Sequence, residues 1–462
     1  MPQGFETDPA GDEPGRAAAR RVAVIGSGIS GLASAWFLSR RYAVTLFEAS
    51  DYLGGHTHTH DIVLGGRHHR VDTGFIVFNA AHYPLLTRLF ETLGVRSQPT
   101  PMSLSVRNEA SGLEYNATSL SGLFCQRRNA FSPRFWGMIR DILRFNREAP
   151  ALLALEGPGP TIGEYLAAHG YGAAFGDEHL VPMASALWSA PPGRIASFPA
   201  RYLVEFLANH QMLQIGRRTP WRVVQGGSTT YVEALRKRWK VAVRIESPVS
   251  RIEGGNDHVT VVSAAGREHF DHAVLACHSD QALALLAEPS RREREILGAI
   301  GYQPNRVVLH TDAAAMPENP RAWAAWNALI PRTDGEACTV SYWMNRLQGI
   351  DSAKPLIVTL NPTRRIDARH ILRELSYAHP VYDQASVAAR ARKAEIQGAR
   401  RTWFAGAYWG WGFHEDGMRS ALDVAEALGA GWPEDPARSE GGGRSERAAR
   451  PPAPSRAPEL AA

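Results

Sequence analysis

Cysteine is nearly absent from this chain. Only Cys125, Cys277 and Cys338 occur among 462 residues, and no two form a C-x-x-C pair. That argues against a disulfide framework or a zinc site and fits a reducing compartment. Long apolar runs are missing as well. Nothing approaches a membrane span, and the N-terminus is polar, Pro/Gly-rich and acidic before it turns basic, so neither signal peptide nor transmembrane anchor is expected. There is also no basic stripe. The formal net charge is +5, but the excess arginine is scattered or lies in the tails, and no nucleic-acid partner is expected. No internal repeat is visible. The default expectation is a cytoplasmic protein, with peripheral contact at a membrane surface left open and the oligomeric state unspecified.

What remains is an ordinary globular composition, 44% hydrophobic and 21% charged, long enough for two domains. Residues 21–50 organise it. An apolar run, Val22-Ala23-Val24-Ile25, reads as a buried parallel strand. G-x-G-x-x-G follows at Gly26, Gly28 and Gly31, then helical spacing through Ile29, Leu32, Trp36 and Phe37. A second strand, Ala43-Val44-Thr45-Leu46-Phe47, ends on Glu48. The first glycine permits the turn, the second a close pyrophosphate, and the third tight helix–strand packing. The helix N-terminus offers unpaired N–H groups to phosphate, and Glu48 is placed to accept from a ribose. The order predicts dinucleotide binding.

Residues 1–20 and 433–462 read as disordered. The doublet Gly54-Gly55 marks another close backbone approach, beside cofactor or in a tight turn. His56, His58 and His60 alternate, so on a strand they would share a face, but no acid or cysteine completes a metal set. Residues 71–79 read as a turn then a strand, and 83–90 as an amphipathic helix stopped by Gly94. Residues 81–220 look like a mostly helical, aromatic-rich cap. The Gly226-Gly227 turn leads into a helix through Tyr231 and Leu235. Four strands between 241 and 276 alternate like one small antiparallel sheet, and strands between 300 and 378 predict a second sheet. At the end, a strand enters a Gly/aromatic loop at 405–417 and then a helix, with Asp416 a plausible N-cap.

These four glycine-bearing units together resemble the flavin-containing amine oxidoreductase superfamily over roughly residues 20–430. DTGFIVFN at 72–79, WRVVQGGSTTYV at 221–232 and GFHEDG at 412–417 look like one subgroup, bacterial NAD/FAD-binding proteins with relatives fused to plant cyclopropane-fatty-acid-synthase-like methyltransferases. The resemblance implies an α/β fold: a Rossmann-type FAD-binding domain with an inserted α+β substrate/cap domain, amine-oxidase-like. It would divide the chain into FAD-binding segments 21–80, 221–285 and 400–430 and substrate segments 81–220 and 300–399. It implies FAD, with Gly54 and Gly55 toward the flavin side and the Val249 backbone pairing with adenine. Where the superfamily has Arg after the doublet this chain has His56, and where Gly-Asp is frequent it has Gly406-Ala407. The superfamily's flavin-facing lysine has no clear counterpart. Lys354, the one lysine of the expected substrate sheet, reads as a surface residue.

Cofactor contacts are therefore expected from Gly26, Gly28, Ile29, Ser30, Gly31, Glu48, Gly54, Gly55, His56, Thr57, Gly74, Phe75, Val249, Gly406, Gly417 and Met418. The N–H groups of Gly417 and Met418, at a helix N-terminus, would face the ring and stabilise charge on the reduced flavin. Trp409, Trp411 and Phe413 would line the substrate side. Tyr408 and His414 are the catalytic candidates, His414 as base or proton relay. The expected function is an FAD-dependent oxidoreductase that oxidises or desaturates an apolar substrate, a lipid acyl chain or another small molecule. Amine oxidation, a redox-neutral isomerisation and a non-catalytic FAD-binding protein are the alternatives.

Overall fold

A computed structural model describes residues 20–155, 159–188, 192–209, 212–213, 219–332 and 338–432. The expected tail and all but the last residue of the expected leader lie outside them. The core is a five-stranded parallel sheet built from β1 (Arg21–Ile25), β2 (Ala43–Phe47), β3 (Val241–Arg244), β4 (His272–Leu275) and β5 (Thr402–Phe404), in the order β3-β2-β1-β4-β5. Central β1 pairs on both edges, Val24 with Leu46 and with Val274, so everything after Arg21 is buried and the strand is continuously apolar.

Six helices position the site: α1 (Ile29–Leu38), α2 (Pro84–Leu93), α3 (Pro133–Glu148), α4 (Ala200–Asn209), α5 (Thr229–Arg236) and α6 (His414–Ala427). Helix α1 returns the chain from β1 to β2 and is buried on every side, which is why it is apolar or small all round. Helix α2 ends where expected, on Gly94 with φ 69°.

The small sheet expected across 241–276 is divided. Val241–Arg244 and His272–Leu275 are β3 and β4 of the parallel sheet. Only Val249–Gly254 and Val259–Ser263 pair antiparallel, joined by Gly266–Phe270, which the pattern did not single out. Alternation cannot tell a hairpin from strands that separate to different sheets. A seven-stranded sheet holds the expected strands of the 300–378 region. It also takes in Leu104–Asn108 and Leu113–Asn116, the former parallel to Trp326–Ile330, so the cap begins with strands and becomes helical only afterwards. Residues 71–79 begin not as a turn but at the end of strand Arg67–Asp72, hairpinned to Thr59–Leu64.

Candidate functional site

The glycine turn after β1 is built by close approaches. A Cβ on Gly31 would sit 1.8 Å from the Gly26 carbonyl oxygen, so only glycine lets α1 start so near the strand. At Gly28, the N-cap of α1, a Cβ would meet nothing within 4 Å, and the loop is open on that side. The second doublet lies on this turn. Gly54 N–H donates to the Ser27 carbonyl and hydroxyl, both at 3.1 Å, and a Cβ on Gly55 would come within 3.1 Å of Gly28 Cα. Two glycine loops thus make one cradle, next to the first-turn amides of Ile29 and Ser30, which have no acceptor within the helix. Glu48, at the end of β2, takes the Ser27 amide at 2.8 Å, the Ser27 hydroxyl at 2.5 Å and the Ser50 amide at 2.9 Å. It fastens the loop, and a carboxylate has lone-pair capacity for one more donor. Val249 lies close by, at an irregularity in its antiparallel pairing, with Ser247 N–H donating to the Glu48 carbonyl at 2.8 Å.

Beyond the doublet, His56 packs apart from His58 and His60, whose rings lie together. Its ring is buried against Tyr377 at 4.8 Å, His379 at 5.2 Å and His278 at 6.2 Å, and its Nε2 has no partner. Burial first, then His379, hold its pKa well below the usual value. His58 instead stacks on Tyr52 at 3.9 Å, with His60 beside it at 4.0 Å. Among the described residues no group of three His, Cys, Asp or Glu is arranged to hold a metal. Gly74 is small because a Cβ there would lie 2.1 Å from the His56 carbonyl oxygen, which accepts the Phe75 amide at 2.7 Å.

The three subgroup stretches converge on His414. Its ring stacks on Phe75 at 3.7 Å, and its Nε2 lies 2.9 Å from Thr57 Oγ1 and 3.4 Å from the Tyr231 hydroxyl. Burial pushes its pKa down to about 3, so the imidazole is neutral and a weak base, held as an anchor between three elements.

Helix α6 begins earlier than expected, and that changes the roles of the terminal motif. Its N-cap is Phe413, not Asp416. Asp416 reaches back so that its Oδ2 accepts the Trp411 and Phe413 amides, each at 3.0 Å, and burial raises its pKa to about 6. Glu415 caps a different helix, accepting the Leu85 and Leu86 amides of α2 at 3.1 Å. The Gly417 amide, expected to face a ring, bonds the Phe413 carbonyl at 3.2 Å, and Met418 lies fully buried deeper in the helix. Gly417 serves instead as a crossing point: a Cβ would come 2.6 Å from Ile29 Cγ2 and 2.9 Å from Ser30 Oγ. The helix amides without an internal acceptor are those of His414 and Glu415. Through this crossing the N-termini of α1 and α6 are brought together.

The loop before α6 sends its aromatics two ways. Tyr408 folds over Gly406, where a Cβ would lie 2.0 Å from its ring, and its buried hydroxyl has no partner. Trp409 goes to the far side, its indole N–H donating to the Phe404 carbonyl at 3.1 Å, apart from the other expected substrate residues. Trp411 and Phe413 join a cluster of rings that the sequence did not mark. Phe206 stacks on Phe413 at 5.3 Å, and Tyr202 lies 5.3 Å from Tyr382 and 6.3 Å from Trp411. The Arg390 guanidinium lies over Tyr202 at 4.8 Å and Tyr382 at 5.2 Å. Tyr202 and Phe206 share a face of α4 at spacing four, a pattern that any packed helix shows, so spacing alone did not single them out.

A parallel sheet whose glycine turn, second glycine loop and two converging helix N-termini make one cradle defines a dinucleotide-binding protein of the flavoenzyme class. The chain belongs to the flavin containing amine oxidoreductase family, whose sequence profile matches residues 29–380. It is an FAD-dependent oxidoreductase. No curated protein sequence matches it. Among solved structures it is similar to a CLA-producing fatty acid isomerase from P. acnes, with 17% identity, 88% of this chain and 98% of that one covered, and TM-score 0.62. A putative protoporphyrinogen oxidase from Exiguobacterium gives 16%, 90%, 99% and 0.64. Cyclohexylamine oxidase from Brevibacterium oxydans gives 16%, 89%, 100% and 0.63. At these identities the likeness is one of fold. The cradle fits the cofactor: space is open at Gly28, and the buried Nε2 of His56 beside it lacks a partner. No helix among the described residues is long and apolar enough to cross a membrane.

Proposed function

We propose that the enzyme oxidises or desaturates an apolar substrate, a lipid acyl chain, held against Trp411, Phe413, Tyr202, Phe206 and Tyr382. Residues 21–80, 221–285 and 400–430 would hold FAD, and 81–220 and 300–399 the substrate. FAD, when bound, supplies a two-electron acceptor. The chain supplies position and field. Gly28, Gly55 and the first-turn amides of α1 cradle the pyrophosphate, and the N-terminus of α6 presents its positive end. Tyr408 offers a hydroxyl with no competing partner, and the aromatic rings exclude water.

The observation that carries the substrate class is the charge around those rings. Arg390 lies over two of them, while the neighbouring carboxylates of Glu415 and Asp416 are turned to main-chain amides. An ammonium group would meet a cation there and find those two acids engaged, whereas an acyl chain is desolvated with gain. The shared fold of a fatty acid isomerase supports the lipid class, and that of cyclohexylamine oxidase marks its rival. A lipid substrate also favours working at a membrane surface.

The test is an absorption spectrum of the purified protein, followed by anaerobic addition of extracted cell lipids or of simple amines. Bleaching of the flavin band by lipids alone is expected. Bleaching by amines and not by lipids would overturn the acyl-chain assignment.

A further inference from the structure

Seven large apolar side chains are exposed among the described residues, and five of them fall between positions 120 and 155. Phe131 is 87% exposed, Leu120 77%, Trp136 50% and Leu143 49%. Helix α3 shows why this is a surface rather than a scatter. Phe135, Met138 and Phe145 face inward and are buried. Trp136, Arg140, Leu143 and Arg147, spaced four, three and four residues apart, form one outward stripe. Trp136 is fixed by its indole N–H donating to the Ala130 carbonyl at 2.9 Å and by packing on Phe124 at 5.6 Å, which sets it beside the Phe131 loop.

The charge of this face is predominantly positive. Residues 117–148 contain six arginines and two carboxylates. Asp141 is buried, accepts the Gly172 amide at 2.9 Å and lies 3.5 Å from Arg140, and Glu148 pairs with Arg144 at 2.9 Å and Arg147 at 3.2 Å. Among the described residues neither Arg127 nor Arg128 is ion-paired, and Arg128 donates only to the Gly112 carbonyl and the Gln126 side chain. Exposed apolar groups rimmed by polar and mostly basic side chains mark an interaction site.

We propose that this face docks peripherally on an anionic phospholipid surface. Leu120, Phe131, Trp136 and Leu143 enter the boundary of headgroups and acyl chains, and Arg127 and Arg128, which have no ion pair among the described residues, bind lipid phosphates. A nucleic acid would satisfy the arginines but not four projecting apolar side chains. A second copy of the chain, paired about a two-fold axis, would set the arginines against each other. On the inner side of the same helix, Phe145 and Asn146 line a cavity of about 50 Å³ with Met183 and Leu207. Leu207 belongs to the apolar cluster on which Phe413 packs. The docked face is therefore backed by apolar interior running toward the N-terminus of α6. The docking rests on the patch alone and stands independently of the acyl-chain assignment.

The FAD-loaded full chain should co-sediment with vesicles containing phosphatidylglycerol and much less with pure phosphatidylcholine. Leu120→Ser with Phe131→Ser should lower the partition coefficient at least tenfold, and Arg127→Glu with Arg128→Glu should abolish the preference for the anionic lipid. Because these side chains are exposed, flavin absorbance and thermal midpoint should stay unchanged in all variants. Equal binding to both vesicle types, or variants that bind like the parent, would overturn the proposal. So would a dimer in sedimentation velocity that the apolar variants dissociate. Vesicle binding that behaves as expected, with lipids that fail to reduce the flavin in detergent, keeps the docking and removes the substrate assignment.

Discussion

Asp72 and Ser228 are 156 residues apart in sequence and joined by three hydrogen bonds. The Ser228 amide donates to Asp72 Oδ1 at 2.9 Å and to Oδ2 at 3.1 Å, and the Ser228 hydroxyl donates to Oδ1 at 2.9 Å. Thr59 and Gln348 complete the shell at 2.5 and 3.0 Å. This carboxylate fastens the hairpin, the N-terminus of α5 and the short helix Met344–Gln348, which links two strands of the seven-stranded sheet, to one another, and every hydrogen-bonded neighbour is a donor. Asp72→Asn would turn an amide nitrogen toward those donors, so it should cost about 1–3 kcal/mol. Urea denaturation at pH 8 checks this, and a midpoint equal to that of the parent would refute it.

The histidines set a pH dependence. Burial depresses His414 to about 3 and His179 and His379 to about 4, against an unfolded value near 6.5. A depressed histidine is stabilising above the unfolded pKa, and its contribution is lost as pH falls toward the folded one. At pH 5 each of the three forfeits about 2 kcal/mol. Asp72 and Asp416, raised to about 6, act in the opposite sense and return roughly 1 kcal/mol each at that pH. The three histidines outweigh the two acids. Thermal midpoints should therefore fall between pH 7 and 5, and a flat or rising midpoint would contradict the burial of these rings.

Two glycines should separate binding from folding. Gly28→Ala adds a methyl into open space at φ −60°, so the apoprotein should keep its thermal midpoint while FAD affinity drops. Gly417→Ala drives a methyl into Ile29 and should destabilise the apoprotein by about 1–3 kcal/mol. Apoprotein melting and FAD fluorescence quenching measure both. Reversed outcomes would mean that the cradle does not lie at Gly28.

The Tyr408 hydroxyl is buried without a partner, so Tyr408→Phe should leave folding stability within about 0.5 kcal/mol. If the hydroxyl touches substrate, kcat should fall about tenfold, the worth of one hydrogen bond in a transition state. Unchanged kcat would assign Tyr408 to packing over Gly406.

The opening βαβ unit was legible because each of its constraints is local. Turn, close approach and helix start fall within a few residues, and glycine has no substitute at Gly26, with φ 96°, or at Gly31. The existence of most other strands and helices was legible too, but not their partners. Val241–Arg244 and Val249–Gly254 read alike, yet the first pairs with β2 and the second with Val259–Ser263.

Roles at the end of the chain were decided by distance in space. GFHEDG looks like a loop, a cap and a run of titratable groups. Glu415 became a cap for α2, Gly417 a crossing with α1 and His414 a neutral anchor, because elements more than 180 residues away in sequence arrive there, while Asp416 clamps its own loop three and five residues back. The sequence by itself determined the dinucleotide turn and the family, since backbone sterics act between near neighbours. Only the tertiary structure decided which acids are engaged, which aromatics share a wall with Phe413 and which face of α3 is left outside, because burial and hydrogen-bond partners are properties of packing.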